Sequence, residues 1–504
     1  MLPLTIAASV LAAVSPADPA KESPGTSLTI YSSADPAGFD PQQFAAQQRA
    51  GYNPQFASQV PGFGIVRQTR SLAIQAGTFD VPFTDVAAFI DPTTVGFVDL
   101  TDPSTTVLEQ NFQFDLVSPE KLYEKYLGRE IKVDVAMGDE TESVQGTLLS
   151  ANQGQFVLQT KDGVRVVPAG GAQVQLGELP GGLLTKPTLV WKLNAKSTGD
   201  HLVRTTYQTS GMTWRADYNL VLDASDTSAD LSAWVTLLNL SGASFPDTQL
   251  KLVAGEVQRI QPQPRIMARG VEMMAMADAA GSGGFEEKQL FEYHLYTLPR
   301  KTDVLANTSQ QIALFPPKPG VKVEKELVLA SAMSPWMDGQ PMIDRGWGVG
   351  EKRKVGVFVK FRNDEKSGLG LPLPKGKIRA FKRDDADGSL EFVGEDLIDH
   401  TPRNETVRIK LGDAFDVTAE RIQTDFTVDT NRRTMTESFR ITLKNAKRQA
   451  QVVDVREMLY RWANWEITQK SLDFTKLDAR NVSFKVNVPA DGEASVEYTV
   501  RYTW

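Results

Sequence analysis

The 504-residue chain has no cysteine and only three histidines, His201, His294 and His400. Without a thiol there is no disulfide, no thiolate metal site, no cysteine nucleophile and no cysteine-borne lipid anchor. Three widely separated histidines leave little material for a His-based triad, a zinc site or an HExxH helix. A basic balance is also missing: 54 Lys and Arg against 62 Asp and Glu give a net charge of −8. That argues against a general binder of nucleic acid or anionic membrane, both of which need a basic surface. Beyond the N-terminus no apolar run approaches the ~20 residues of a membrane helix, so no transmembrane helix is expected. Sustained heptads and a strand–helix–strand rhythm are lacking too, so neither a coiled coil nor a parallel α/β sheet is expected.

What remains is ordinary in bulk, with 41% hydrophobic and 23% charged residues as in soluble globular proteins. The length implies roughly three or four domains. The 28 prolines and 38 glycines are spread as punctuation, which suits many short strands and turns. The expected class is therefore all-β: several antiparallel β-sandwich or barrel domains in series, with very little helix.

At the N-terminus, "LPLTIAASVLAAV" (residues 2–14) is uncharged and apolar, with small residues at Ser15 and Ala17. This is the pattern of a signal peptide over residues 1–17, and it places the chain in the periplasm, outside the cell or in the envelope. Strand-like segments fill 26–127, a β-domain with one short helix at 118–127 that Ser118 can cap and Gly128 can end. Residues 129–178 hold five short strands, Asp162-Gly163 giving a hairpin signal, and read as a small Sm- or SH3-like barrel inserted in the chain. Four basic against seven acidic residues there make it a poor phosphate binder. Strands resume over 187–420, interrupted by a low-complexity, flexible loop at 261–285, and a C-terminal β-sandwich follows over 421–504.

Within this layout "YQTSGMTWRADYNLVLD" (residues 207–223) reads as strand, tight turn and strand, a hairpin with Ser210-Gly211 at its corner. Trp214, Ala216, Tyr218, Leu220 and Leu222 share one face, while Arg215, Asp217 and Asn219 take the other. Trp191, Trp214 and Trp234 are expected to fill sandwich cores rather than stack on a sugar. Phe439, Ile441 and Leu443 alternate cleanly, as do Val482, Phe484, Val486 and Val488.

Several stretches carry a longer resemblance. The 207–223 segment, "LSAWVTLLNLSGASFPDTQLKLVAGEVQR" (231–259), "FEYHLYTLPRKTDV" (291–304), "GLGLPLPKGKIRAFKRD" (368–384) and "LEFVGEDLIDHTPRNETVRIKLGDAFDV" (390–417) resemble the DUF4139 family of bacterial proteins. Some members of that family are mucoidy-inhibitor-like. The resemblance implies a β-rich scaffold and assigns no catalytic residue. In the mucoidy-inhibitor type a long coiled coil separates an N-terminal β-domain from the shared region; here only the short helix and the small barrel stand in that place.

Carboxylates are the plentiful acid–base groups. Glu395, Asp396, Asp399, Asp413 and Asp416 could supply a glycosidase pair, which needs two carboxylates ~5–9.5 Å apart in a cleft. They could also form a calcium site, which needs six to eight oxygens. Without a dense Asp-rich loop they read as solvated turn acids. Met267, Met273, Met274 and Met276 are thioethers that could hold copper(I), but among Ala and Gly they read as an apolar loop. The last residues, "VEYTVRYTW", alternate like the closing strand of an outer-membrane barrel, yet fit more simply as the last strand of a sandwich. No catalytic, cofactor-binding or metal-binding residue stands out. The expected role is non-enzymatic: an exported envelope or secreted binding or structural protein, its partner an envelope protein or polysaccharide. A carboxylate-dependent hydrolase of envelope polysaccharide is the alternative, and an outer-membrane-associated β-protein a lesser one.

Overall fold

The computed structural model describes residues 23–32, 59–113, 118–137, 140–178, 186–255, 286–290, 293–331, 339–349, 353–384 and 386–504, with a few isolated residues between. The expected signal segment 1–17 and the loop 261–285 with its methionines lie outside the described residues. Among the described residues the strands form five sheets, of eight, five, three, ten and four strands, and none closes into a barrel. A short α-helix, Pro119–Lys125, accompanies them, its N-terminus capped by Ser118 Oγ accepting from the Lys121 amide at 3.2 Å. The chain is all-β.

Ser210-Gly211 is not a hairpin corner. The strand before it, Gly199–Thr209, lies between Gly62–Ile74 and Ile90–Asp99 in the eight-stranded sheet. The strand after it, Met212–Leu222, lies between Ser228–Asn239 and Gly376–Arg383 in the ten-stranded sheet. The dipeptide carries the chain from one sheet to the other. Gly211 has φ +83, and a Cβ there would sit 2.9 Å from the Leu240 carbonyl, so only glycine fits the crossing. Alternation beyond it is as expected: Trp214, Ala216, Tyr218, Leu220 and Leu222 are all buried. Asp217 on the opposite face is buried too, among the side chains of Arg215, Thr236 and Arg379. It accepts from Thr236 Oγ1 at 2.6 Å and Arg215 Nε at 3.1 Å.

Parallel pairing, which the absence of a helix rhythm argued against, occurs three times among the described residues: Gly25–Ser32 with Phe245–Ala254, Met212–Leu222 with Gly376–Arg383, and Thr308–Ala330 with Gln451–Met458. A parallel pair needs a long crossover, and here antiparallel strands supply it in place of helices. These pairings also knit together segments far apart in sequence. One hydrophobic core runs from Leu28 to Ile409 and takes in Trp191, Tyr207 and Trp214, so the strands of 26–113 and of 187–409 bury a shared interior. Trp191 sits at its centre, 5.2 Å from Phe83 and 5.0 Å from Phe97. Trp234, expected in a core, is 40% exposed.

Residues 130–175 form the five-stranded sheet, which curls over its own core of Ile131, Val133, Leu148, Phe156 and Leu158. The expected barrel stays open. Its two edge strands, Gly163–Pro168 and Gln173–Gln175, do not pair, and the latter has only three residues with which to close a ladder.

The strand Thr308–Ala330 runs 23 residues, about 75 Å at ~3.3 Å per residue. Its first part pairs with Ser228–Asn239 over the large core. Pro316, Pro317 and Pro319 then withhold ladder donors, the register slips, and the last part joins Gly356–Arg362 and Gln451–Met458. There Leu327 and Leu329 enter a second core, filled by Phe439, Phe484, Val486, Tyr498 and Tyr502. That core lies between the ten-stranded sheet and the four-stranded sheet of Val417–Asp429, Thr434–Asn445, Trp465–Lys470 and Gly492–Thr503. The C-terminal strand Gly492–Thr503 turns its tyrosines inward, with Trp504 partly buried against the same core.

Candidate functional site

The second core contains five ionic side chains. Glu457 extends the buried face of Val453 and Val455, and Glu437 that of Met435 and Phe439, each one step along its strand. Both are fully buried. Glu457 accepts from Arg421 Nε at 2.9 Å, from the Tyr498 hydroxyl at 2.5 Å, and from Arg353 Nη1. Glu437 accepts from Arg461 Nε at 2.7 Å, Tyr502 at 3.1 Å and Gln423 Nε2 at 3.2 Å. Arg421 stacks on Phe439, its guanidinium carbon 3.5 Å from the ring centroid.

Environment separates the two carboxylates. Burial pushes Glu457 up, but Arg421 and Arg353 outweigh it and hold the acid below the usual range. Glu437, with the single counter-charge of Arg461 closest to it, is pushed up by burial. Tyr498 and Tyr502 are raised well above 10, first by burial and then by the neighbouring carboxylates. Tyr460 is pushed up to about 12 by burial and by Glu437.

Donors of Arg461, Arg421 and the neighbouring Tyr460 reach one loop, residues 339–349. Arg461 is fully buried, and its Nη1 donates to the carbonyls of Asp344 at 2.6 Å and Met342 at 3.1 Å. Its Nη2 reaches those of Trp347 at 3.1 Å and Arg345 at 3.4 Å. The Tyr460 hydroxyl donates to Trp347 O at 2.9 Å, and Arg421 Nη1 to Gly348 O at 3.3 Å. Gly348 has φ +74, and a Cβ there would lie 2.7 Å from the Tyr460 ring; glycine lets loop and ring meet. A loop pinned through six backbone contacts is preorganised, and it presents Ile343 and Trp347 at 46% and 39% exposure.

Beside this loop opens a groove of about 780 Å³. Val349 forms the loop's wall, Leu329 and Val355 the floor, and Val417 to Arg421 the opposite wall, with Phe415 at the rim. Phe415 is 95% exposed. The strand Val417–Asp429 pairs with Thr434–Asn445 and, among the described residues, has no second neighbour.

The acids singled out from sequence are not brought together as a pair facing across a cleft. Glu395 pairs with Lys377 and Arg379. Asp396 caps the Lys410 amide at 2.6 Å, and Asp413 binds Lys410 and Lys354. Asp399 and Asp416 are exposed. No three His, Asp or Glu side chains among the described residues gather as a metal site would require.

Sequence gave too little weight to His201. It is 2% exposed, and its Nδ1 lies 2.6 Å from Asp99 Oδ2, with Ser197 Oγ 3.4 Å from Nε2. A triad needs only one histidine, so its parts are present. Burial opposes ionisation of Asp99, but the Asp102 and Thr101 amides, the imidazole and Thr105 outweigh it and hold the acid low. The Ser197 hydroxyl, however, lies closer to Asp102 Oδ2, at 2.9 Å. Its proton goes to that carboxylate and not to the imidazole, so the group ties the strand end at Asp99 to the Ser197 turn.

Sequence reasoning missed the buried cluster, although a signal was there. Continuing the Phe439–Ile441–Leu443 alternation two residues back puts Glu437 on an apolar face. The same step from Val453 and Val455 reaches Glu457.

No curated protein matches the chain. The model of the Domain of unknown function (DUF4139) matches residues 203–504, a span holding every residue of the groove and the buried cluster; the chain belongs to the DUF4139 family.

Proposed function

We propose that the chain is an exported, non-enzymatic protein of the cell envelope or its exterior, which binds a partner in the groove between loop 339–349 and the strand Val417–Asp429. Export is supported by the apolar run at residues 2–14 and the small residues at Ser15 and Ala17. No helix among the described residues is long and apolar enough to cross a membrane.

The observation that carries the binding role is the contrast at the groove itself. A fully buried arginine, itself held by a buried carboxylate, fixes the loop, while Phe415 at the groove and Trp347 on the loop stand in solvent. Buried ion clusters of this kind are costly in desolvation, and exposed aromatics beside a preformed cavity are what binding sites use. The test is capture from envelope extract with the chain from Asp18 onward as bait, beside its Phe415→Ala variant. A partner held by the first and released by the second is the expected result; equal capture would place binding elsewhere. N-terminal sequencing of natively fractionated protein should begin near Asp18, and retention of Met1 would overturn export.

A further inference from the structure

We infer that the chain assembles head to tail with a second copy of itself, the strand Gly77–Thr84 of one copy lying parallel beside Arg421–Thr427 of the next. This is independent of what the groove binds and rests on a repeat that runs through the fold.

Among the described residues one pattern of five strands occurs three times. A first strand pairs antiparallel with a second, which ends at or beside a buried asparagine. A third and a fourth pair with each other, and a fifth returns beside the second. In one unit these are Met212–Leu222, Ser228–Asn239, Phe245–Ala254, Tyr293–Thr297 and the first part of Thr308–Ala330. In the next they are the last part of Thr308–Ala330, Gly356–Arg362, Gly376–Arg383, Leu390–Ile398 and Thr406–Asp413. The last unit has Val417–Asp429, Thr434–Asn445, Gln451–Met458, Asn481–Val488 and Gly492–Thr503. The asparagines mark the equivalence. Asn239, Asn363 and Asn445 are at most 2% exposed, and each Nδ2 reaches three backbone carbonyls. Each fifth strand follows a left-handed residue, Asn307, Asn404 or Asp491.

A parallel pair ties each unit to the one before. Gly376–Arg383, a third strand, joins the first strand Met212–Leu222 over seven residue pairs, and Gln451–Met458 joins Thr308–Ala330 over four. Phe245–Ala254 likewise joins Gly25–Ser32 over six. Gly25–Ser32 is itself the first strand of an earlier unit without the asparagine, followed by Gly62–Ile74, Gly77–Thr84, Thr188–Ala195 and Gly199–Thr209.

This succession leaves one strand unmatched at each end. Among the described residues Val417–Asp429, a first strand, has no parallel neighbour, and Gly77–Thr84, a third strand, pairs with Thr188–Ala195 alone. Met212 and Val417 each lie opposite the asparagine, so the stretch Ala216–Leu222 that takes a neighbour corresponds to Arg421–Thr427. Within the first stretch Asp217 is buried and reached by Arg379 of the neighbouring strand, whereas its counterpart Ile422 is 48% exposed. Repeat architectures need polar caps on their end units, and an apolar side chain on an open edge strand is a template for pairing. The kind of strand that fills this place three times within the chain is the kind left open at its other end. Two unlike edges join copies in series and do not close a two-fold dimer. Pro82 withholds one donor from the added strand, and the register of Val417–Asp429 breaks after Gln423. The ladder is therefore short, like the four-pair one, and the association reversible.

The experiment uses the full chain, whose lack of cysteine lets single cysteines report contacts cleanly. Asp80→Cys and Ile422→Cys chains are purified separately, mixed and treated with a short bis-maleimide. The unlike pair is expected to cross-link, and each variant alone is not. In sedimentation velocity the wild type should gain mass steadily over about a hundredfold rise in concentration, passing the dimer. Asp80→Lys and Ile422→Lys place at exposed positions the charge that guards edge strands, and each should weaken association at least about tenfold with the unfolding midpoint unchanged. A constant monomer mass would overturn the inference. Cross-linking of Ile422→Cys with itself would show edge self-pairing and overturn Gly77–Thr84 as the added strand. Association indifferent to both lysine variants would overturn the two edges as the interface.

Discussion

In the larger core the buried tyrosines end on neutral backbone: Tyr218 donates to Pro374 O at 2.7 Å, Tyr296 to Pro372 O at 3.2 Å, and Tyr207 accepts from the Ala87 amide. In the C-terminal core the equivalent hydroxyls end on carboxylates, Tyr498 on Glu457 and Tyr502 on Glu437. The first arrangement satisfies polarity at the margin of an apolar sandwich, at little cost. The second takes five charges out of water, and a well-packed apolar cluster of the same volume would often be as stable or more so. What the charges provide is position. Their spare donors hold residues 342–348 in place, and the groove follows from that. Function in this chain is accordingly sought where the packing is least economical.

The largest effect should come from breaking that economy. Glu457→Gln leaves Arg353 and Arg421 buried without their shared counter-charge, and should cost about 3–5 kcal/mol in denaturant unfolding. A loss under about 1 kcal/mol would mean the guanidiniums find water, and the contrast between the cores would collapse.

A matched pair sharpens the comparison at smaller scale. Tyr498→Phe removes a hydrogen bond to a charged acceptor, worth about 1.5–3 kcal/mol, while Tyr218→Phe removes one to a neutral carbonyl, worth about 1 kcal/mol. Equal losses in urea unfolding would show that the carboxylate at Glu457 confers nothing special on its donor.

Smaller again is a difference in slope with pH between the two glutamates. Glu457 is held low, so its contribution is present above the ordinary carboxylate pKa and is lost as pH falls through its lowered value. Glu437 is pushed up, so its contribution is present below the ordinary value and is lost as pH rises through its raised one. The advantage of wild type over Glu457→Gln should therefore grow with rising pH across the acid range. That over Glu437→Gln should shrink. Parallel curves would show that burial does not separate the pair.

How much of this was legible depends on which interactions are local. The all-β class and the buried face from Trp214 to Leu222 follow from alternation, and the Ser118 cap from its spacing to Lys121. Ser210-Gly211 was read as a hairpin because a turn residue pair reports a reversal, not which sheet receives the next strand. That choice was made by Gly376–Arg383, more than 150 residues later. The open five-stranded sheet fails to close through a length deficit in Gln173–Gln175 that no turn signal records. Of the site, the two glutamates were legible as acids on apolar faces. Arg353, Arg421 and Arg461 were not, since their partners lie 24 to 104 residues away in sequence and alternation says nothing of who meets whom.

The smallest expected effect concerns Phe415. At 95% exposure it has almost no apolar area to lose from burial, so Phe415→Ala should change unfolding stability by no more than about 0.5 kcal/mol. The same substitution at a buried aromatic such as Phe439, in the core beneath, should cost about 3–5 kcal/mol. The two phenylalanines thus bracket the C-terminal region: one is held by packing, the other stands free of it. An aromatic in water contributes nothing to the fold, which leaves Phe415 free for the docking role proposed for the groove rim. Chemical denaturation of both variants, followed by tryptophan fluorescence, decides the matter. A Phe415→Ala loss above about 1 kcal/mol would show that the ring packs on the protein in solution, and would remove the rim from the binding surface.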